Sequence, residues 1–311
     1  MQRFKNILMV LNPEVDRKAA LDKAVVLCRQ NQARLTLFSV VPEPSELSSY
    51  ADLVLDIPMP NLLSDRQQWV QNILPDLKKQ GVDAEIIVVE GIQFLEIIRQ
   101  VLRAQHDLVI TTAEDSRGIR ARVFGTTSMH LMRKCPCPVW VVKHVQRRPY
   151  ARILAAVDPS AYDPDRDALN PLILELASAL ARQEKAELHI LHVWEMFGEQ
   201  YVRNGGMNEQ EIKEAKEYEK KQHRQRFETL LSRLDVSDLK PYVHLVEGHP
   251  DVRIPELTVE QDIDLLVMGT VCRTGIAGFF IGNVAEEVLN QVDCSILTLK
   301  PEGFVTPVHL E

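Results

Sequence analysis

Long apolar runs are missing from this chain. Segments such as Val139–Val142 and Ile86–Val89 fall far short of the roughly 20 residues that cross a bilayer, so no membrane span is expected. A secretory leader is missing too. Met1-Gln2-Arg3-Phe4-Lys5-Asn6 runs straight into a strand-like segment, which makes the cytoplasm the expected location. The cysteines, five in number, form an odd set that argues against a disulfide framework. Cys135-Pro136-Cys137 has no second Cys or His pair at zinc-ligand spacing, and so reads as buried and structural. No dense basic stripe is present and the net charge is −8, which speaks against nucleic acid as a partner.

The signatures of common catalysts are also absent. There is no G-x4-G-K-S/T phosphate loop and no G-x-S-x-G elbow, which excludes a Walker-type NTPase and an α/β-hydrolase nucleophile. Ser-Gly-Gly-x-Asp-Ser and His-Ile-Gly-His, marks of α/β enzymes that adenylate or cleave ATP, do not occur. His189 and His192 lie three apart on a strand-like segment, so they point to opposite faces and do not suit one metal. No catalytic residue and no metal ligand set is assigned, and whether the chain is an enzyme stays open.

What is present is a soluble-protein composition, 45% hydrophobic and 26% charged over 311 residues, enough for two ordinary domains. Short apolar runs alternate with helical patterns. Ile7–Leu11, Leu35–Val41, Ala84–Val89, Leu108–Thr111 and Val139–Val142 read as strands. Helices are expected over the stretch from Ala20 to Cys28, from about Ser64 to Lys79 with a break or kink at Pro75, from Phe94 to Ala104 and from Thr126 to Arg133. Such alternation gives a parallel sheet with helices on both faces. Prolines at 42, 44, 58 and 60 break the region between the second strand and the next helix into a loop.

After a short linker, 146–151, the pattern restarts. Ile153–Asp158 answers Ile7–Asn12, Leu188–Trp194 answers Leu35–Val41, and Val243–Gly248 answers Ile86–Gly91. Asn208–Leu234 reads as one long helix, with Asn208 and Glu211 placed for a capping box. The closing segments, Asp107–Lys143 and Asp264–Lys300, superpose without a gap at an offset of 157. A period this long is a domain duplication. Domains are expected at 1–145 and 152–301, with a C-terminal tail at 302–311. Two such copies would pack about a pseudo-twofold axis, with their last strands as the pairing edges. Residues 1–149 carry net charge +4 and residues 150–311 carry −12, so the copies have diverged.

In each copy a strand runs into a loop and a glycine then opens a helix: Gly269 to Gly282 in the second, Thr112 to Gly125 in the first. With Val157-Asp158, Gly248-His249-Pro250 and Gly269…Gly282, the chain resembles the universal stress protein family over nearly its whole length. The resemblance is strongest to tandem E-type members, through Gly-Thr-Val-x-Arg-Thr-Gly and Thr306-Pro307-Val308. It implies an α/β fold of two tandem Rossmann-like (adenine nucleotide alpha hydrolase-like) domains, each a five-stranded parallel sheet with helices on both faces. It also implies intramolecular pairing of the domains like a universal stress protein dimer.

Nucleotide-binding members carry G-x2-G-x9-G-S/T, whose amides and hydroxyl hold ATP phosphates. Glycines admit close approach of an oxygen, and a helix N-terminus favours an anion. In the second copy Gly269 and Gly282 match, Cys272 stands at the middle glycine, and Asn283 at the hydroxyl. Asp158 matches the acid beside the nucleotide, and Val193, taken to follow the second strand, the position packed by the base. In the first copy Gly125-Thr126 keeps the end of the motif, but Thr112 and Asp115 replace the first two glycines and Asn12 the acid. Asp115 close to a triphosphate would cost about 1 kcal/mol or more, against which Arg117, Arg120 and Arg122 are the available cations. The expected cofactor is therefore ATP or another adenine nucleotide with Mg, chiefly in the second copy, within a non-catalytic stress-response signalling module. The alternatives are an acyl or other amphipathic ligand near Phe279-Phe280-Ile281, no ligand at all, or a slow ATPase. Cys272 beside Arg273 is also a candidate reactive thiol, and His249 falls in a turn at the crevice rim.

Overall fold

The structure, a computed structural model, describes residues 3–43, 61–113, 124–143, 149–159, 164–196, 198, 208–236, 238–270 and 282–310. The first half runs β1 (Asn6–Val10), α1 (Lys18–Asn31), β2 (Arg34–Val41), α2 (Leu62–Gln71), α3 (Leu74–Lys79), β3 (Ala84–Glu90), α4 (Gln93–Ala104), β4 (Leu108–Thr112), α5 (Thr126–Lys134) and β5 (Val139–Val142). The second half runs β6 (Arg152–Ala156), α6 (Pro164–Glu184), β7 (Glu187–Trp194), α7 (Glu209–Ser232), β8 (Tyr242–Glu247), α8 (Pro250–Glu260), β9 (Leu265–Gly269), α9 (Asn283–Gln291) and β10 (Ser295–Leu299). Among the described residues no helix is long and apolar enough to cross a membrane.

All the strands join one sheet in the order β3-β2-β1-β4-β5-β10-β9-β6-β7-β8. Within each half the strands are parallel; the halves meet where β5 and β10 pair antiparallel, with Trp140 opposite Leu297. The fold is thus α/β, two tandem Rossmann-like units sharing a seam at their last strands. Central strands such as β1, β4 and β10 are buried along their whole length, whereas the outer strands β3 and β8 are part-exposed. Covering both faces with helices requires that pattern, because side chains alternate between two dry layers. One layer packs Ile7, Met9 and Leu37 with Ala24, Leu176 and Phe227; the other packs Leu8, Val10 and Phe38 with Ile97, Leu131 and Val288. Both layers draw residues from both halves.

The duplication reaches into polar detail. Asp107 accepts the backbone N–H groups of Lys5 (2.6 Å) and Asn6 (3.0 Å), and Asp264 those of Ala151 (2.5 Å) and Arg152 (3.0 Å). Each carboxylate ties the start of its half's first strand to the strand beside it. The capping box of α7 forms as expected: Asn208 Oδ1 accepts the Glu211 N–H and Glu211 accepts the Asn208 N–H. The stretch from about Ser64 to Lys79, expected to break or kink at Pro75, is two helices that divide just before the proline, between Gln71 and Leu74. Pro75 lies in the first turn of α3, where its missing N–H has no partner to lose. The segment after β10 is packed rather than free: Val308 is buried in the layer that holds Ile97 and Val101.

Where the chain passes between the halves, Tyr150 is 2% exposed, with its ring 6.1 Å from that of Trp140. Lys23 Nζ lies 3.8 Å from the Tyr150 ring centroid and 2.7 Å from Glu184 Oε2; the same carboxylate accepts the Tyr150 N–H at 3.1 Å. Burial holds the Lys23 ammonium below its usual pKa range, and Glu184 opposes that shift. Glu184→Ala leaves a buried cation and a buried N–H without their acceptor, so a loss of about 3 kcal/mol is expected in urea unfolding. Adding Lys23→Met should recover most of it; a double variant as unstable as the single one would show that the pair does not act as a unit.

Candidate functional site

In the second half a cavity of about 420 Å³ opens at the carboxyl ends of β6, β7 and β9. That is where ligands sit in open α/β sheets, and the size suits a small molecule. Its floor is Ala156, Leu191 and Met268; its sides include Leu169 and Ile173 of α6 and Pro250 and Ile254 of α8. The first turn of α9 closes one end with Gly282 as N-cap, followed by Asn283, Val284 and Ala285. The positive end of that helix and its unpaired N–H groups face the cavity end.

Asp158 lines the same cavity, just beyond β6. Its backbone is held at both ends by one side chain: the Asp158 N–H donates to Asn170 Oδ1 at 2.8 Å and Asn170 Nδ2 donates to the Asp158 carbonyl at 2.9 Å. Asn170 is 2% exposed, so this clamp is shielded from water. Nothing in the strand pattern singled Asn170 out. The available signal was a polar amide amid the apolar positions Leu169, Leu172 and Ile173.

Five of the eight expected site residues therefore meet: Asp158, Val193, Gly269, Gly282 and Asn283 all line the cavity. Val193 lies within β7, not after it, because the strand continues to Trp194. Cys272 lies outside the described residues, as do Asp115, the basic loop Arg117–Arg122 and Phe279–Ile281. Gly125 and Thr126 open α5 in the first half, as Gly282 and Asn283 open α9, and so sit apart from this cavity. Gly269 has a packing reason for being glycine as well. A Cβ there would run into Leu169 Cδ2, so α6 leans over the strand end at the point where an approaching oxygen would need room.

The first-half crevice is built from bulkier residues. Strand register pairs Val10 with Phe38 where the second half pairs Ala156 with Leu191. Asn12, in the place of Asp158, turns its Oδ1 to the Glu14 N–H of its own loop at 3.0 Å. His249 N-caps α8 and meets Glu195 at 2.9 Å, on the exposed side of the turn.

The family model for the universal stress protein family matches residues 3–143 and again 149–300. The chain belongs to the universal stress protein family. Universal stress protein E of Escherichia coli is 29% identical over 319 positions, covering 100% of this chain and 98% of its own. A universal stress protein E homolog of Haemophilus influenzae is 27% identical over 310 positions, covering 96% and 98%. A solved Pseudomonas aeruginosa structure is similar at TM-score 0.74 and 23% identity, over 97% of this chain and 95% of that one. A universal stress protein from Archaeoglobus fulgidus is similar at TM-score 0.59 and 15% identity, over 95% and 98%. These two structural likenesses speak to the fold.

Behind Asp158 the stress-protein core holds an imidazole pair. His192 Nδ1 faces the Val157 carbonyl at 3.3 Å, and its Nε2 meets His223 Nδ1 of α7 at 2.9 Å. His189, on the opposite face of β7, stacks instead on Tyr242 and meets His244 at 3.1 Å, as strand alternation requires. Burial pushes His192 down to about 4, against the opposing pull of the Asp158 carboxylate; His223, His189 and His244 are also lowered by burial. The unfolded chain, with His192 near 6.5, then binds more protons than the folded one between that value and about 4. Stability falls as the pH drops through this window, by up to about 3 kcal/mol for His192. Denaturant unfolding at stepped pH should show the fall, and the double variant His192→Leu/His223→Leu should flatten it. An unchanged slope would remove the pair from the account.

Proposed function

We propose that this universal stress protein is a non-catalytic stress-response binding module whose second half holds an adenine nucleotide or a close analogue. The observation that carries the reading is the convergence of Asp158, Val193, Gly282 and Asn283 on one cavity. A carboxylate beside apolar side chains suits the polar and ring parts of a nucleoside, with Leu191 and Val193 against the base and Asp158 accepting hydroxyl or amine hydrogens. The N-terminus of α9 is the anion end. Among the described lining residues Asp158 alone is charged. Mg bound with ATP would therefore be held mainly by phosphate oxygens and water, and a nucleotide with less charge needs less compensation. The divergent first half keeps the same unit as a packing partner for the second.

A second reading has its own support. Leu169 packs over Gly269, and the walls are chiefly apolar, which suits an amphipathic ligand. Release of adenine nucleotide on denaturing the purified protein, or calorimetric heat with ATP and Mg, supports the first reading; neither nucleotide nor heat supports the second. Gly282→Val places a branched side chain at the α9 N-cap and should lower nucleotide affinity at least tenfold. Asp158→Ala should lower it by about tenfold, as expected for losing a hydrogen bond to a charged group. Affinity unchanged in both variants would put the ligand elsewhere. Equal background rates of phosphate release from wild type and Asp158→Ala are expected of a module that binds without hydrolysing.

A further inference from the structure

The peptide unit that leads into Asp158 is held from both sides. Its carbonyl, that of Val157, faces His192 Nδ1 at 3.3 Å, and its N–H, that of Asp158, donates to Asn170 Oδ1 at 2.8 Å. A carbonyl only accepts, so the His192 proton is on Nδ1, and Nε2 accepts from His223 Nδ1 at 2.9 Å. Asn170 Nδ2 donates to the carbonyl of Asp158 itself at 2.9 Å. Asn170 and His192 are both buried, so water does not compete for these contacts. Asn170 also lines the cavity beside Asp158.

The first half holds one of these points and not the other. Leu11, in the place of Val157, has its carbonyl bound by Ser39 Oγ at 2.9 Å, and Arg66 Nη1 of α2 donates to that hydroxyl at 3.0 Å. His223 of α7 backs His192 in the same way. No such support reaches Asn12. Its side chain accepts the Glu14 N–H at 3.0 Å and its carbonyl the Val15 N–H at 3.3 Å, and among the described residues no side chain of α1 bonds its backbone. The loop of the first half closes on itself, whereas that of the second is tied to a helix. The tie has a local cost. Asparagine is a poor residue for a helix interior, and Pro171, directly after it inside α6, removes one helical N–H, a change worth about 3 kcal/mol against alanine. A helix that keeps so unfavourable a pair where it meets a cavity is under a constraint other than its own stability.

We propose that Asn170 is the positioning residue of this cavity: it fixes the backbone of Asp158, and so the direction in which the carboxylate leaves it, before a ligand arrives. The role rests on the nucleotide reading above. A carboxylate on an untied loop would have to be ordered on binding, and ordering one residue's backbone costs about 1–2 kcal/mol. The two Asn170 bonds meet that cost when the chain folds, which leaves more of the binding energy to the ligand. The side-chain amide suits the task because it carries a donor and an acceptor side by side, matching the N–H and the carbonyl of one residue. An aspartate of the same shape keeps the acceptor but loses the donor, and a leucine of similar size loses both. The same tie separates the halves: Asp158 is held by its helix, and Asn12 is turned into its own loop.

The test uses the full chain in two arms. In the ligand-free protein, amide exchange followed by NMR should be about tenfold or more faster at Asp158 in Asn170→Leu, with the β6 amides of Leu154 and Ala155 changed little. Equal acceleration at all three amides, or none at Asp158, overturns the positioning role. In the second arm, calorimetry with ATP and Mg runs from pH 8 to pH 5. Asn170→Leu should bind about tenfold more weakly than wild type throughout. Asn170→Asp should match that loss at pH 8, where its carboxylate has no proton for the Asp158 carbonyl. Its affinity should approach that of wild type as the pH falls, because a protonated acid offers donor and acceptor as the amide does. Packing alone would not give this profile. Wild-type affinity in both variants at pH 8, or a loss in Asn170→Asp that does not narrow with falling pH, overturns the proposal. No heat from the wild type overturns the nucleotide reading, and the exchange arm then decides the positioning role by itself.

Discussion

The antiparallel pairing of β5 with β10 is the contact on which the rest of the molecule depends. A five-stranded parallel unit that ends at β5 or at β10 would leave an apolar edge strand with unpaired backbone groups. Pairing the two edges removes both liabilities and makes one sheet of two units. Both packed layers then run through the seam, and Trp140, Tyr150, Lys23 and Glu184 join the halves on one side of it. Because the pairing is antiparallel, the strands of the two halves point opposite ways. Their crevices consequently open on opposite rims of the sheet, and neither can lend residues to the other.

Separation of the crevices left each copy free to change. The parts that hold the backbone are repeated: Asp107 and Asp264 clamp equivalent strands, and Gly125 and Gly282 open equivalent helices. The parts facing the crevice differ. Val10 with Phe38 fills space that Ala156 with Leu191 leaves open, and Asn12 turns to its own loop where Asp158 is held by Asn170. Larger side chains at a crevice floor leave less room there for a ligand. The second half thus keeps a cavity lined by Asp158, whose backbone Asn170 holds, and Lys300 donates to Thr270 where its twin Lys143 meets Asp293.

Electrostatics follow from the same packing. His192 and His223 stay neutral because water is excluded around β7 and α7, although Asp158 favours their charged forms. Lys23 is drawn below its ordinary range by burial even with Glu184 against it. Desolvation outweighs the opposing carboxylates in each case.

The amino-acid sequence by itself determined the duplication, the alternation of strands and helices, the pairing edges and the α7 capping box. Each of these is written in local periodicity, in cap residues, or in the constant offset between Asp107–Lys143 and Asp264–Lys300. Asp158, Gly269 and Gly282 were singled out by the resemblance to the universal stress protein motif, and they line one cavity at the strand ends. Tertiary structure alone decided the rest. Asn170 on the backbone of Asp158, Leu169 over Gly269, His223 against His192 and Lys300 with Thr270 are contacts between a helix and a strand, or between the ends of neighbouring strands. Such contacts depend on how far a helix leans and which rotamer fills the gap. Residue spacing along one element carries neither quantity; only the packed layers set them.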